Sequence, residues 1–331
     1  MTTRATTEYR YEKLTWPEIN DAIELHKVCI VPCGAIEQHG PHLPLDVDVV
    51  CPVEIARGAG RQAPELLLVL PPVCYGYTGH VLDFPGTINS HFEHFIHHVL
   101  DITKSLAYHG FKKILLLNGH GSNMPNLDLV ARRTNLETDA ECIAAGWWSF
   151  LTVDPAFLPR WRQSKFPGGC SHACGLETSL YLHLDGDNVR QDLIRSGTIS
   201  LNDEGSPFNW MDLFAAGPAT LVSWTSSYSM TGTLGAALAH FILRNHFSVE
   251  KITMECPTDI DQRGVAGKIL CRLGLRRRTA PLAPARARRT RTLNLGPAIR
   301  LTTWTPCLPA RRQAGPITKT PSLVEPARRA Q

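Results

Sequence analysis

Nowhere in its 331 residues does the chain carry an apolar run of the roughly 18 to 20 residues that a membrane-crossing helix needs. Residues 1–20, with Arg4, Glu8, Arg10, Glu12 and Lys13, also lack the apolar stretch of a secretion signal. Those two absences point to a soluble protein of the cytoplasm. The ten cysteines include no C-x-x-C pair, and Cys29, Cys33, Cys51, Cys74 and Cys142 fall inside apolar segments, so they read as buried thiols of a reducing compartment. Cys170 and Cys174 stand apart because they flank a histidine. No internal repeat of 20 to 50 residues is present, which excludes solenoids and propellers.

Acidic side chains are almost missing from the C-terminal part. Residues 263–331 hold sixteen Lys and Arg against the single acid Glu325, a net +15, whereas residues 1–262 carry 18 basic and 29 acidic side chains, a net −11. The overall charge of +4 conceals this split, and it sets a boundary near residue 262. Residues 1–262 are long enough for one large core. Residues 263–331, rich in Arg, Pro and Ala, cannot bury enough apolar surface to offset the entropy of ordering and are expected to be disordered. Clustered arginine suits phosphates, but Trp304 is the one aromatic in that segment able to stack on a base, and no nucleic-acid module is recognisable. An adventitious terminus is therefore the first reading of the tail, and nucleic-acid binding the second.

The first two-thirds alternates strand and helix. Thr15-Trp16-Pro17-Glu18 has the form of a capping box and predicts a helix to about His26. A strand over 28–35, a helix over 49–62 and a strand over 66–70 follow. Phe92, Phe95, Ile96, Val99, Ile102 and Leu106 recur at spacings of three and four, the mark of one apolar helix face, and Gly110 ends that helix. A strand over 113–117, a helix over 124–136 and a strand over 142–146 come next. Trp147 to Gly169 breaks the pattern and reads as a long functional loop such as a lid. Helices are predicted over 176–184 and 234–244. Strands separated by helices imply a mostly parallel sheet covered on both faces, an α/β fold.

Two runs carry the chemistry. Glu37-Gln38-His39-Gly40-Pro41-His42, extending to Asp46-Val47-Asp48, follows the strand at 28–33, and Asn118-Gly119-His120-Gly121-Ser122-Asn123 follows the strand at 113–117. Both sit just past the carboxyl ends of strands, where open α/β sheets bind ligands. Carboxylate oxygen with imidazole nitrogen suits Zn, Mn or Fe(II), and a carboxylate can bridge two ions about 3.5 to 4 Å apart. Glu37, His39 and Asp48 become persuasive as ligands through their partners, His120 and the run Ser171 to Ser179. Gly119 and Gly121 are expected to let the backbone turn sharply so that His120 faces inward. No Ser-His-Asp arrangement emerges, so Thr178 and Ser179 need no nucleophilic role.

The runs G-A-I-E-Q-H-G-P-H-L-P-L-x-x-D (34–48), F-P-G-T-I (84–88), N-G-H-G-x-N (118–123) and H-A-x-x-x-E-T-S (172–179) resemble the creatininase family of metal-dependent amidohydrolases. The resemblance covers roughly residues 10–240, with four motifs in order. It implies a three-layer α/β/α sandwich, two divalent ions (Zn, Mn or Fe) per subunit, and Glu37, His39, Asp48, His120 and Glu177 as their ligands, with Asp48 bridging. It implies His172 as the catalytic residue that moves the proton to the leaving nitrogen. The implied reaction is hydrolysis of a non-peptide C–N bond, in an amide, cyclic amide or formamide, by a metal-bridging hydroxide. A homo-oligomer, as a hexamer, is the implied assembly. A non-catalytic relative that keeps the pocket for ligand capture is the rival reading.

Departures narrow the substrate. Creatinine-hydrolysing members carry Tyr and Glu directly after the histidine, where this chain has Gly121 and Ser122; creatinine is accordingly not the first choice. Trp147, Trp148 and Trp161 are either a replacement aromatic wall or plain packing. His80, just before F-P-G-T-I, is either a pocket residue or a loop hydrogen-bonder. His42 and Asp46 are expected to orient ligands. His91, His94 and His98 resemble a metal stripe, but no carboxylates complete it, and a solvated or subunit-contact face is the reading adopted.

Overall fold

The computed structural model describes residues 3–162, 164–194, 211–215, 217–219 and 221–235. The expected basic tail from residue 263 and the last predicted helix beyond Gly235 lie outside them. In chain order the elements are α1 (Trp16–Glu24), β1 (Val28–Cys33), α2 (Val47–Gln62), β2 (Leu67–Val69), α3 (Phe92–His109), β3 (Lys113–Asn118), α4 (Met124–Glu137), β4 (Glu141–Gly146), α5 (Phe157–Trp161), β5 (Cys170–His172), α6 (Gly175–Asp185) and β6 (Leu234–Gly235).

Four strands form a parallel sheet in the order β2-β1-β3-β4. Alternate residues of each strand feed opposite faces. Val28, Ile30, Leu67, Val69, Leu115 and Leu117 pack with Val47, Cys51 and Ile55 of α2 and Leu176 and Leu180 of α6. Cys29, Val31, Cys33, Leu68, Ile114 and Leu116 pack with Ala22 of α1, Phe95, Val99 and Leu106 of α3, and Leu127 and Val130 of α4. This is the three-layer α/β/α sandwich. Burial on both faces explains why β1 and β3 read as unbroken apolar runs instead of alternating ones. Among the described residues no helix is long and apolar enough to cross a membrane.

Local signals behave as the sequence predicts. Thr15 and Glu18 close a capping box at the start of α1. Phe95 and Val99 of α3 are fully buried, and truncating Phe95 to Ala costs about 3–5 kcal/mol by the usual cavity reckoning. Gly110 sits at φ 109°, a left-handed conformation that ends α3 and that a side chain would strain.

Some expectations need correction. The excursion from Trp147 does not begin as a loop: Trp147–Val153 forms a 3-10 helix whose Trp147, Trp148 and Leu151 are buried in the core. Aromatic surface recovered from water holds that segment down. Leu234 and Gly235 form a strand against β5 where a helix was predicted to begin; pairing with Cys170 and His172 overrides the local apolar pattern. Cys74 is only half-buried, unlike Cys29, Cys33, Cys51 and Cys142.

The strand order places the site. From β1 the chain passes to β2 on one side, and β3 lies on the other, so the carboxyl ends of β1 and β3 face a crevice at the point where the winding reverses. Glu37 and His39 leave β1 there, and His120 leaves β3 there. Gly119 holds this corner together by having no side chain, since a Cβ on it would lie 2.0 Å from the main-chain oxygen of Asp48. Neither Gly119 nor Gly121 takes a left-handed φ. Close approach of α2, not a sharp turn, is what Gly119 provides; Gly121 has open space around it.

Candidate metal centre

Three loop-borne donors and two helix-borne ones converge. Asp48 lies inside the first turn of α2, not on the preceding loop, and Glu177 in the first turn of α6, where the Cys174 N–H donates to its Oε2 at 3.3 Å. Glu37, His39, Asp48, His120 and Glu177 are all buried, at 4 % exposure or less. His39 Nε2 lies 3.1 Å from Asp48 Oδ1, while His120 Nδ1 lies 3.0 Å from Asp48 Oδ2 and 3.3 Å from Glu37 Oε1. Donor atoms of Glu37, Asp48 and His120 fall within 4.8 Å of one another, as do those of His39, Asp48 and Glu177. A third such group joins Glu37, His39 and His172.

The hydrogen bonds around the rings show what the cluster lacks. His120 Nε2–H donates to the Tyr77 carbonyl at 3.1 Å, and His39 Nδ1–H donates to the Glu37 carbonyl at 3.2 Å. Each neutral ring therefore turns a lone pair, His120 Nδ1 or His39 Nε2, towards carboxylate oxygen. Glu37 Oε1 and Asp48 Oδ2 have no hydrogen-bond partner among the described residues although both are buried. Acceptors facing acceptors in a buried pocket require a cation or protons between them. The residues fit a divalent metal.

Without metal, protons do this work. Burial alone would lower the pKa of His39, but Asp48 outweighs it and raises the value to about 10. His120 is likewise raised, against burial, by Glu37 and Asp48. Burial raises Glu177 to about 7. His172 is moved the other way, to about 4, by burial and then by His39 beside it. The His172 ring lies tilted against His39, 4.2 Å centroid to centroid, and its Nδ1 lies 3.3 Å from Glu37 Oε1.

A ring of supports surrounds the donors. Thr78 Oγ1 donates to Glu37 Oε2. His42 Nε2 meets Thr178 Oγ1 at 2.9 Å, beside Glu177, and Tyr181 donates to Asp46 at 2.7 Å where α2 begins. Asn123, which closes the N-G-H-G-x-N run, donates to the Gly34 carbonyl and accepts the Tyr77 N–H, tying the loop that holds His120 to the end of β1. Thr78, Gln38 and the Tyr77 carbonyl escaped the sequence reading because contacts across 41 or more residues leave no local pattern; only the terminal Asn of the motif hinted at them.

Of the expected pocket residues, His80 is brought in. It lies parallel to the His120 ring, 6.0 Å centroid to centroid. Gly121 is exposed and Ser122 half-buried at the same rim. Trp147 and Trp148 do not form an aromatic wall: they are 2 % and 6 % exposed and pack edge to face in the core, 5.9 Å apart. The Trp161 side chain lies outside the described residues. His91, just before α3, and His94 and His98 on it are exposed, and no metal group forms there among the described residues.

Residues 12–239 match the Creatininase family (creatinine amidohydrolase). The chain belongs to the creatininase family. It is thus an amidohydrolase, a hydrolase of carbon–nitrogen bonds. The creatinine amidohydrolase of Pseudomonas putida is 30% identical over 220 residues, 62% of this chain and 81% of that one. A mycofactocin precursor peptide peptidase of Mycobacterium tuberculosis is 32% identical over 176 residues, 51% of this chain and 62% of that one. Solved creatininases share the fold: one described as a Zn–Zn type mutant has 27% identity and a TM-score of 0.55 over 70% of this chain and 88% of its own. A manganese form has 26% identity and a TM-score of 0.56 over 81% and 96%. The descriptions of these two creatininases name zinc and manganese, and this chain carries clustered donors that could hold a metal ion.

Proposed function

We propose that the protein hydrolyses a non-peptide amide, cyclic amide or formamide with two divalent ions, one held by Glu37, Asp48 and His120 and the other by His39, Asp48 and Glu177. One observation carries this reading: two close three-donor groups have Asp48 in common. Bound there, such ions supply Lewis acidity that polarises an amide carbonyl and brings the pKa of a water towards neutrality. Zinc and manganese are favoured by the metal forms of the relatives, and iron by the donor set alone.

The protein's own residues position and move protons. Thr78 and the Tyr77 carbonyl hold Glu37 and His120 in fixed orientations, so no reorganisation is needed when charge develops. His172 is neutral at physiological pH and within reach of the cluster, and its role is to carry a proton to the departing nitrogen. Gly121 and Ser122 leave the rim open where a Tyr and a Glu would close it, which argues against creatinine and for a substrate of different outline. A homo-oligomer belongs to this reading, supported by the bare Tyr108 and Leu136 on α3 and α4, as does a cytoplasmic address, supported by the buried free thiols. Light scattering on the purified protein tests the assembly.

The deciding experiment combines elemental analysis with a turnover panel of creatinine, lactams, formamides and short peptides, before and after chelation. About two divalent ions per chain and turnover of a lactam or formamide that chelation abolishes and Zn or Mn restores are expected. Metal-replete protein inert on the whole panel would return the chain to the ligand-capture reading. The basic tail is tested separately: salt-sensitive DNA or RNA binding lost on truncation after residue 262 would support a second role.

Metal uptake should also depend steeply on pH. His39 and His120 hold protons through neutral pH in the metal-free state, and a metal must expel them. Affinity therefore rises with pH, by up to about tenfold per pH unit for each proton released, so about a hundredfold for the two rings and more below pH 7, where Glu177 also holds a proton. Isothermal titration from pH 6 to 8 in buffers of different ionisation enthalpy reads the proton count directly; a flat affinity would show that the rings are not ligands.

A further inference from the structure

His80 reaches the rim of the metal centre without being tied to it. Its half-buried ring lies nearly parallel to that of His120, 6.0 Å away, and it belongs to none of the donor groups. Among the described residues its ring nitrogens have no hydrogen-bond partner; only its carbonyl is engaged. Nearby polar atoms are already committed. Thr78, two positions earlier, gives its hydroxyl to Glu37 and accepts Asn89 Oδ1 on its main-chain N–H at 2.8 Å. An imidazole edge left over at the mouth of a polar site is the kind of group that orients a small ligand.

What holds His80 in place comes from 145 positions further along the chain. Gly79–Val81 forms a single 3-10 turn, and Thr225–Ser227 forms another beside it. Thr225, 1 % exposed, donates its hydroxyl to the His80 carbonyl at 3.1 Å, and the Ser226 N–H donates to Asp83 Oδ2 at 2.6 Å. One bond grips the turn itself and the other grips the residue two places past its end. A lone 3-10 turn is too short and too weakly bonded to hold its own position, so this clasp decides where the ring stands.

We propose that His80 is a specificity-determining residue that donates a hydrogen bond to a second oxygen of the substrate, and that Thr225 and Asp83 are its positioning residues. The role extends the amidohydrolase reading of the site and rests on it. An imidazole keeps at least one N–H in every protonation state, so it can always donate to oxygen. Set off from the donor atoms by the spacing of two rings, His80 meets the part of the substrate next to the reacting amide and not the amide itself. The substrate class this selects is an amide or lactam with a further carbonyl or hydroxyl beside the bond to be cut.

Zinc-loaded protein titrated in a calorimeter with N-methylsuccinimide and with N-methyl-2-pyrrolidinone tests this without turnover, because the two rings differ by one carbonyl and neither has an N–H to lose to zinc. Wild-type protein should bind the imide about tenfold more tightly, the worth of one well-placed hydrogen bond. In His80→Ala the preference should fall to within about twofold, with metal content unchanged. Thr225→Val, which removes the hydroxyl, and Asp83→Ala, an exposed position that spares the fold, should each cut the preference about threefold, and Thr225→Ser should recover it. Thr225→Val added to His80→Ala should change nothing more, because Thr225 acts through His80. No imide preference in the wild type, a preference that survives in His80→Ala, or an effect of Thr225→Val that persists without His80 overturns the proposal. A His80-dependent preference in protein that turns over nothing on the panel sinks the hydrolase reading alone, whereas turnover without that preference sinks the proposal alone.

Discussion

Asp48→Ala should purify without metal and without activity. Asp48 is the one side chain common to the Glu37–Asp48–His120 and His39–Asp48–Glu177 groups, with Oδ1 3.1 Å from His39 and Oδ2 3.0 Å from His120, so its removal leaves two donors in each place of three. The Lewis acidity of the site is worth several kcal/mol of transition-state stabilisation, and its loss corresponds to a fall in kcat/KM on the order of 10³ to 10⁴. The same substitution strips His39 and His120 of the charge that holds their protons, a change of the kind that costs about 3–5 kcal/mol when a buried pair is broken. Circular dichroism and thermal melts must accompany the activity measurement for that reason. Asp48→Asn keeps the shape and one oxygen while removing the charge, and should retain the fold while losing most of the metal. Either variant found with a full complement of metal and wild-type turnover would remove Asp48 from the centre of the mechanism.

How much of this was legible in the sequence depends on how far each contact reaches along the chain. Glu37 and His39 announced themselves through a run that follows a strand, and the capping box at Thr15, the apolar face of α3 and the stop at Gly110 are all encoded within one or two helical turns. The convergence of Asp48 with His120 is different in kind. It follows from the order β2-β1-β3-β4, which brings β1 and β3 side by side, and composition alone does not state that order. The glycines of the second run were assigned the wrong reason: Gly119 is required by the main chain of Asp48, a contact spanning 71 positions, not by a turn. The sequence leaves the tryptophans open between wall and packing for a related cause. A stretch rich in aromatics and proline looks like loop from within, and only the core beneath it shows that Trp147 and Trp148 have been taken into packing. Gln38 was hidden in plain view, flanked by stronger donors, because its partners Gly232 and His172 lie 194 and 134 positions away.

His172→Gln should keep its metal and lose its rate. His172 is outside both groups that share Asp48, but it completes a third with Glu37 and His39, so two roles compete for it: proton carrier or ligand. They differ in what the variant retains. Loss of a general acid–base group lowers kcat by about 10² to 10⁴ and leaves metal content and KM little changed. Loss of a ligand removes metal first and rate with it. The leaving group sharpens the distinction further. An amide whose nitrogen carries a strongly electron-withdrawing aryl group departs with less need of a proton, so the deficit of His172→Gln should shrink markedly on such a substrate relative to a simple alkyl amide or lactam. Its lowered pKa fits the carrier role, because a ring that is neutral at working pH can take the proton before giving it up. A deficit of the same size on both substrates, with metal retained, would mean that His172 shapes the pocket and carries no proton to nitrogen.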